Sequence, residues 1–199
     1  MWNDRYDRPD YLFGTAPAVF LTEQAEWLRP GLRALAVADG EGRNSVYMAA
    51  QGLDVVAFDA AEVGLDKARR LAAARGVTVD FRLSDIESWD WDAAPYDLVV
   101  AIFIQFADPA LRARIFEGMT RALAPGGVLL LHGYRPEQVD YGTGGPPLRE
   151  NMYTEEMLRA AFADLEILRL ESYDREVQEG EGHSGMSALI DLVARKPAS

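Results

Sequence analysis

Residues 33–44, Arg-Ala-Leu-Ala-Val-Ala-Asp-Gly-Glu-Gly-Arg-Asn, decide how the rest of the chain is read. The apolar run 34–38 stops at Asp39, Gly40 and Gly42 flank Glu41, and a helical pattern begins at Arg43. That is a buried strand, a tight glycine turn and a helix start. Glycine takes positive φ and, without a Cβ, lets another group approach the backbone closely. Such a turn also aims backbone N–H groups and a helix N-terminus at a ligand. Alone, Gly-x-Gly is a weak signal. Its weight comes from what surrounds it.

Downstream, the spacing predicts a helix over 43–51 closed by Gly52, then a strand over 53–58 ending in Asp59. A helix over 63–74, closed by Gly76, and a strand over 77–83 follow, the latter running into Ser84-Asp85-Ile86. A loop with Trp89 and Trp91 shows no helical period. The run 96–104 is continuously apolar after Asp97, as a central strand covered on both faces should be. Asp108-Pro109 opens a helix reaching 123, and Pro125-Gly126-Gly127 turns the chain into a strand over 128–131. Upstream, a helix is expected over 16–28, with Thr15 as N-cap and Pro17 in its first turn, stopped by Pro30-Gly31.

The alternation of strands and helices predicts an α/β, Rossmann-like, mostly parallel sheet with helices on both faces. Asp39, Asp59, Asp85 and Gln105 stand at strand ends, and so share the edge where such sheets bind ligands. The last third differs. Residues 135–151 read as a Gly/Pro-rich loop, 154–162 as a helix, and 165–177 and 187–194 as strands flanking an acidic glycine loop, 178–185. A connection with no helix makes that terminal pair antiparallel and brings the sheet to seven strands. Residues 1–14 form an irregular arm whose Trp2, Tyr11 and Phe13 either tie the terminus down or cover a ligand. The whole chain, 1–199, is expected to be one domain.

Composition narrows the chemistry. A net charge of -12 repels phosphate backbones and anionic membranes, so neither nucleic acid nor membrane is an expected partner. Without cysteine there are no disulfides, thiolate metal sites or thiol nucleophiles, and no metal site is expected. No stretch approaches the ~20 apolar residues of a membrane span, and residues 1–12 lack the apolar core of a secretion signal. A cytoplasmic location is the default, and oligomeric state is unreadable.

In their order and spacing, the Gly40-Glu41-Gly42-Arg43-Asn44 turn, Asp59, the Asp85 step, Leu123-Ala124-Pro125-Gly126-Gly127 and the closing antiparallel pair resemble the class I S-adenosylmethionine-dependent methyltransferases. The aromatic arm ending at Gly14, and Gly182-His183-x-Gly185 before Leu192-Val193-Ala194-Arg195-Lys196-Pro197, resemble the small tellurite-resistance and thiopurine-type members. The resemblance implies S-adenosyl-L-methionine as cofactor, S-adenosyl-L-homocysteine as product and a small-molecule acceptor, possible classes being a chalcogen oxyanion or a thiol. It assigns the ribose to Asp59 with Ala60, and the adenine to Ser84, Asp85 and Ile86. The methionine end falls to Ala38, Asp39, Gly40, Gly42, Ala101 and Ile102, with Arg43 or Arg5 for its carboxylate. Asp59 could equally cap a helix, and Asp85 could serve its own turn. Two positions depart from the family pattern. Ala36 stands where an acidic residue is usual and Ala38 where the first glycine is, so a residue 38 that needs positive φ would press its side chain on the cofactor.

Methyl transfer is largely a matter of alignment, and a base helps when the nucleophile is an alcohol or amine. His183 is the candidate base, and His132 is expected at the ligand edge. Phe13, Gln105, Phe106 and Tyr134 can border an acceptor pocket or belong to the core. Two rival readings are a non-catalytic or degenerate S-adenosylmethionine-binding domain, motivated by Ala36 and Ala38, and a nicotinamide-dependent Rossmann enzyme. The second is weakened by Ser45 at the third glycine position.

Overall fold

The computed structural model describes residues 1–198. The apolar run before the glycine turn forms β1 (Arg33–Val37). It pairs in parallel with β2 (Asp54–Asp59) on one side and β4 (Tyr96–Ile102) on the other. β3 (Asp80–Leu83) extends the sheet beyond β2, and β5 (Leu123–Tyr134) lies beside β4. β7 (His183–Arg195) and β6 (Glu166–Glu179) then close it as an antiparallel pair. Among the described residues these seven strands make one sheet in the order β3-β2-β1-β4-β5-β7-β6.

Both faces are covered, and alternation along β1 shows how. Leu35 and Val37 point into a core with Phe116 and Met119 of α5 (Pro109–Ala122) and Leu158 of α7 (Glu155–Ala161). Ala34 and Ala36 point the other way, toward Phe20 of α2 (Val19–Glu23) and Met48 of α3 (Arg43–Ala50). A strand with apolar residues on both faces has to be central in such a sandwich. α4 (Glu62–Arg75) packs beside α3 and ends at Gly76 in a left-handed cap.

Several expectations need correction. The helix over 16–28 is only α2 followed by a 3-10 turn, Ala25–Trp27. Thr15 does not cap it; Ala18 N donates to Asn44 Oδ1 (2.9 Å) and Val19 N to Glu179 Oε1 (3.0 Å), so remote side chains fix its start. β3 begins at Asp80 instead of Val77, because Val77 packs against Leu71 and Ala72 of α4. β4 stops at Ile102 instead of Ile104, because Phe103 takes φ 55. β5 is longer than 128–131, pairing Leu123 with Tyr96 before a register shift. β6 and β7 stay paired as far as Glu179 and His183, so the loop expected over 178–185 shrinks to residues 180–182.

Residues 135–151 are not structureless. They hold α6 (Gln138–Tyr141) and a 3-10 turn, Arg149–Asn151. Gln138 is fully buried, accepting from Ala188 N (2.8 Å) and donating to Thr143 Oγ1 (2.9 Å). Nor is the arm irregular throughout: Trp2–Tyr6 forms α1, and Tyr6 and Leu12 are buried. Trp89 and Trp91, in the loop without a helix, pack on Phe58 with ring centroids at 4.1 and 6.0 Å. No helix of the described residues is long and apolar enough to cross a membrane.

Candidate active site

A cavity of about 490 Å³ opens beyond the carboxyl ends of β1, β2 and β4. Asp39, Asp59, Asp85 and Gln105 all line it, so the strand-end residues do share one edge. The arm (Met1, Trp2, Arg5, Tyr6, Phe13) and residues 145–147 complete its wall.

The glycine turn forms one end. Ala38, Gly40 and Gly42 have φ of 48, 63 and 88°. The conformation suspected at residue 38 is therefore real, and an alanine carries it at a cost of roughly 1–2 kcal/mol. The glycines also make room for protein. A Cβ on Gly40 would lie 2.7 Å from Tyr6 Oη, and one on Gly42 would lie 2.6 Å from Ala68 Cβ in α4. Gly42 accordingly does not line the cavity. Between them, Glu41 accepts from Leu12 N (2.8 Å) and from Lys67 Nζ (2.7 Å), which also donates to Asp10 O (2.7 Å). This buried pair fastens the arm to the turn.

The acidic groups are organised by the backbone around them. Asp59 Oδ2 accepts from Gly40 N (2.8 Å) and Oδ1 from Ala61 N (2.8 Å), so it does serve the start of α4. Burial pushes its pKa up despite these bonds. A carboxylate has about four acceptor sites, so both oxygens can still take hydroxyl donors from the cavity. Asp39 accepts from Ser45 N (3.2 Å) and from Ser45 Oγ, holding the first turn of α3. It is partly exposed to the cavity, yet desolvation by the protein around it pushes its pKa up to about 7. Asp85 accepts from Ser88 N (2.7 Å), Glu87 N (2.9 Å) and Ser88 Oγ (3.0 Å). These turn bonds, led by that of Ser88 N, hold its pKa down.

Arg43 enters the cavity from α3. Its Nη2 lies 2.9 Å from Glu179 Oε2, while its buried Nη1 has no partner. Arg5, the other candidate cation, lies over the Trp2 ring at 4.4 Å. Ala60, Ser84, Ile86 and Ile102 line the cavity. Ala101 does not: alternation along β4 turns it into the opposite core with Leu35 and Val99.

The other end is aromatic. His183 packs against Phe13 (4.4 Å between centroids), Phe103 (4.1 Å) and Tyr134 (5.7 Å). Its Nδ1 is 4.0 Å from Glu179 Oε2, beyond hydrogen-bond reach, and has no partner. Burial lowers the His183 pKa, with Glu179 opposing. Glu179 is held at about 2: burial would raise it, but His183 and Arg43 together outweigh that. Tyr134 Oη and Asn151 Oδ1 are likewise buried without partners. Gln105 lines the cavity, but its amide is spent on the Tyr134 backbone, at 2.7 and 2.6 Å. Phe106 stands half-exposed at the rim. His132 is not at the ligand edge; its Nδ1 meets Asp191 Oδ1 at 2.7 Å and its ring stacks on Phe20.

Sequence reasoning missed Tyr6, Phe103, Asn151, Lys67 and Glu179. Only Glu179 carried a signal, as an acidic residue four before His183 across a hairpin, where directly opposed residues share a face.

Residues 34–127 match a family model described as Methyltransferase domain. Among curated proteins the chain is similar to the tRNA 5-carboxymethoxyuridine methyltransferase of Escherichia coli, 28% identical over 134 residues, or 60% of this chain and 50% of that protein. The chain thus spans half the length of that relative. Among solved structures it is similar to TehB from Haemophilus influenzae, with a TM-score of 0.72, 22% identity and coverage of 88% of this chain and 61% of that one. It is also similar to the N-methyltransferase NodS from Bradyrhizobium japonicum WM9 in complex with S-adenosyl-L-homocysteine, with a TM-score of 0.72, 16% identity and coverage of 98% and 96%. At these identities the structural likeness is one of fold, and that fold is the class I methyltransferase fold.

Proposed function

We propose that this chain, with its methyltransferase domain and fold, binds S-adenosyl-L-methionine along the glycine turn and transfers its methyl group to a small-molecule acceptor. The single observation that carries the reading is the donor set at the ends of β1 and β2. Asp59, its two oxygens already pinned by Gly40 N and Ala61 N, is oriented to accept from a ribose. The orphaned Nη1 of Arg43 calls for a carboxylate. Ile86 offers an apolar wall for a base, with Asp85 beside it. The residues fit the cofactor, and the carboxylates of Asp39, Asp59 and Asp85 suit its positive charge.

When bound, the cofactor supplies a methyl group activated by a sulfonium, whose sulfur keeps the electron pair of the broken bond. The chain supplies enclosure and alignment, worth up to ~7–11 kcal/mol when reacting atoms are held in register. The arm and residues 145–147 wall the cavity. His183, kept neutral by burial, is available to accept a proton.

A small acceptor is favoured over RNA because the net charge of -12 opposes a phosphate backbone. A thiol or chalcogen oxyanion, the acceptors implied by the resemblance, would need alignment alone. An oxyanion would have to be met by Arg5, since Arg43 is shared between Glu179 and the cofactor's carboxylate. One domain acting in the cytoplasm completes the reading. Isothermal titration calorimetry with S-adenosylmethionine, S-adenosylhomocysteine and NADH tests it. Micromolar binding of the first two and none of NADH is expected; silence from all three would sink it.

A further inference from the structure

We propose that the aromatic end of the cavity takes a neutral, hydroxylated aromatic ring, whose hydroxyl proton passes to His183 with Glu179 as the positioning carboxylate behind it. The proposal rests on the S-adenosylmethionine reading of the opposite end.

Shape comes first. Phe13, Phe103, Tyr134 and His183 lie within 4.1–5.7 Å of one another, centroid to centroid, in the contacts they share. Packed on one another, they form an aromatic wall of the cavity, against which a planar ligand can stack or make edge contacts. Phe103 is held at φ 55, an outlier for a bulky residue. Strained backbone of this kind persists where the surroundings fix a functional side chain.

Polarity comes next. Tyr134 Oη and Asn151 Oδ1 are buried, face the cavity and lack partners. Asn151 Oδ1 can only accept, so the ligand has to bring a hydrogen-bond donor besides the hydroxyl that reacts, as a catechol does. Charge sets the third condition. Arg43 is neutralised by Glu179 at 2.9 Å, and its free Nη1 goes to the carboxylate of the proposed cofactor. Arg43 is thus committed, and the cavity's other arginine, Arg5, lies over the Trp2 ring at 4.4 Å, which fits a neutral acceptor.

A neutral hydroxyl needs a base, and one is there. The groups facing His183 are Glu179 from β6, Arg43 from α3, and Tyr134 and His132 from β5. Burial keeps the imidazole neutral, while Glu179 stays ionised 4.0 Å from Nδ1. Once Nε2 gains a proton, Nδ1–H meets a carboxylate that needs to close by only about 1 Å to bond it. The step balances. The O–H bond breaks and its proton goes to Nε2, the oxygen–methyl bond forms, and sulfur retains the carbon–sulfur electron pair. Positive charge moves from sulfonium to imidazolium and leaves as a proton to water.

The test begins with calorimetry of S-adenosylhomocysteine alone; failure to bind overturns the cofactor reading and this proposal with it. The loaded protein is then titrated with catechol, 2-naphthol, thiophenol and tellurite. Saturable binding of an aromatic alcohol is expected. Tyr134→Phe and Asn151→Leu should weaken it at least fivefold while S-adenosylhomocysteine affinity stays within twofold. Methylation of the bound alcohol should fall at least 100-fold in His183→Gln with KM within threefold. Glu179→Gln should move the acid limb of the pH profile to lower pH, and nitrogen NMR of the His183 ring should show the same displacement in the unloaded protein. Binding of tellurite or thiophenol with neither alcohol bound would overturn the proposal, as would wild-type methylation by His183→Gln. The titrations use the wild-type protein, so they decide the matter even where a variant misfolds.

Discussion

The two ends of the cavity are built differently. At the glycine turn, Ala38, Asp39, Gly40, Arg43 and Asp59 come from two adjacent parallel strands and the helix between them. At the aromatic end, Phe13, Phe103, Tyr134, Asn151 and His183 come from the arm, the end of β4, the end of β5, the 135–151 segment and β7. The first end is local and held by backbone bonds. The second is an assembly of distant segments and leaves Tyr134 Oη, Asn151 Oδ1 and His183 Nδ1 without partners, against Arg43 Nη1 alone at the first. Their buried carboxylates differ accordingly. Asp39, desolvated and bonded mainly to Ser45, is pushed up to about 7, whereas Glu179, between Arg43 and His183, is held at about 2. Environments that push two carboxyl groups apart in this way separate their chemical roles.

The contrast can be broken most severely at its latch. Lys67→Met leaves Glu41 buried and uncompensated, and should cost about 3–5 kcal/mol in a thermal or urea melt. It should also weaken S-adenosylhomocysteine binding, because the arm is released; an unchanged melt would mean that the pair does not hold the turn. Asp59→Ala comes next, with at least a tenfold loss of S-adenosylhomocysteine affinity by calorimetry. It also strands two N–H groups, a stability cost of about 1–3 kcal/mol. Asn151→Ala, at the other end, should leave that affinity within twofold, and equal losses from both would erase the distinction between the ends. Ala38→Gly should relieve the left-handed strain but add chain entropy to the unfolded state, for a net gain below about 1 kcal/mol. Calorimetric melting should then rise by about 2–4 °C at most.

The smallest effect is in pH. Asp39 has a folded pKa above its unfolded value, so the folded state binds more protons between about 4 and 7. Stability from this group falls as pH rises through that window, and Asp39→Asn should remove the slope. Glu179 is the reverse: its folded pKa is depressed, so its contribution is present above its unfolded value of 4.5 and is lost as pH falls toward 2. Urea melts from pH 3 to 8 should separate the two slopes.

What could be read from the sequence follows the same division. The strand–turn–helix of residues 33–44, Asp59 at the end of β2 and the closing antiparallel pair were legible because each depends on neighbours in sequence. The helix over 16–28 was overestimated because its start is set by Asn44 and Glu179, which no local pattern reveals. Gln138 and Asn151 were hidden in a segment that its glycines and prolines made look like loop. A packing role of Gly40 and Gly42 was hidden for a like reason: the atoms they make room for, Tyr6 Oη and Ala68 Cβ, lie in other elements.

One consequence lies in the order in which the molecule is made. Arg8 meets Glu181 at 2.7 Å across 173 residues of chain, and Gly182 N bonds Leu12 O at 3.1 Å. During synthesis the arm therefore emerges long before its partner hairpin exists, and the cavity is still unroofed when the parallel strands could already have paired. Contacts this far apart in sequence are slow to close. In refolding followed by pulsed hydrogen exchange, the Gly182 amide should gain protection after the amides of β1 and β4, making the closing of the roof the last event in the birth of the site.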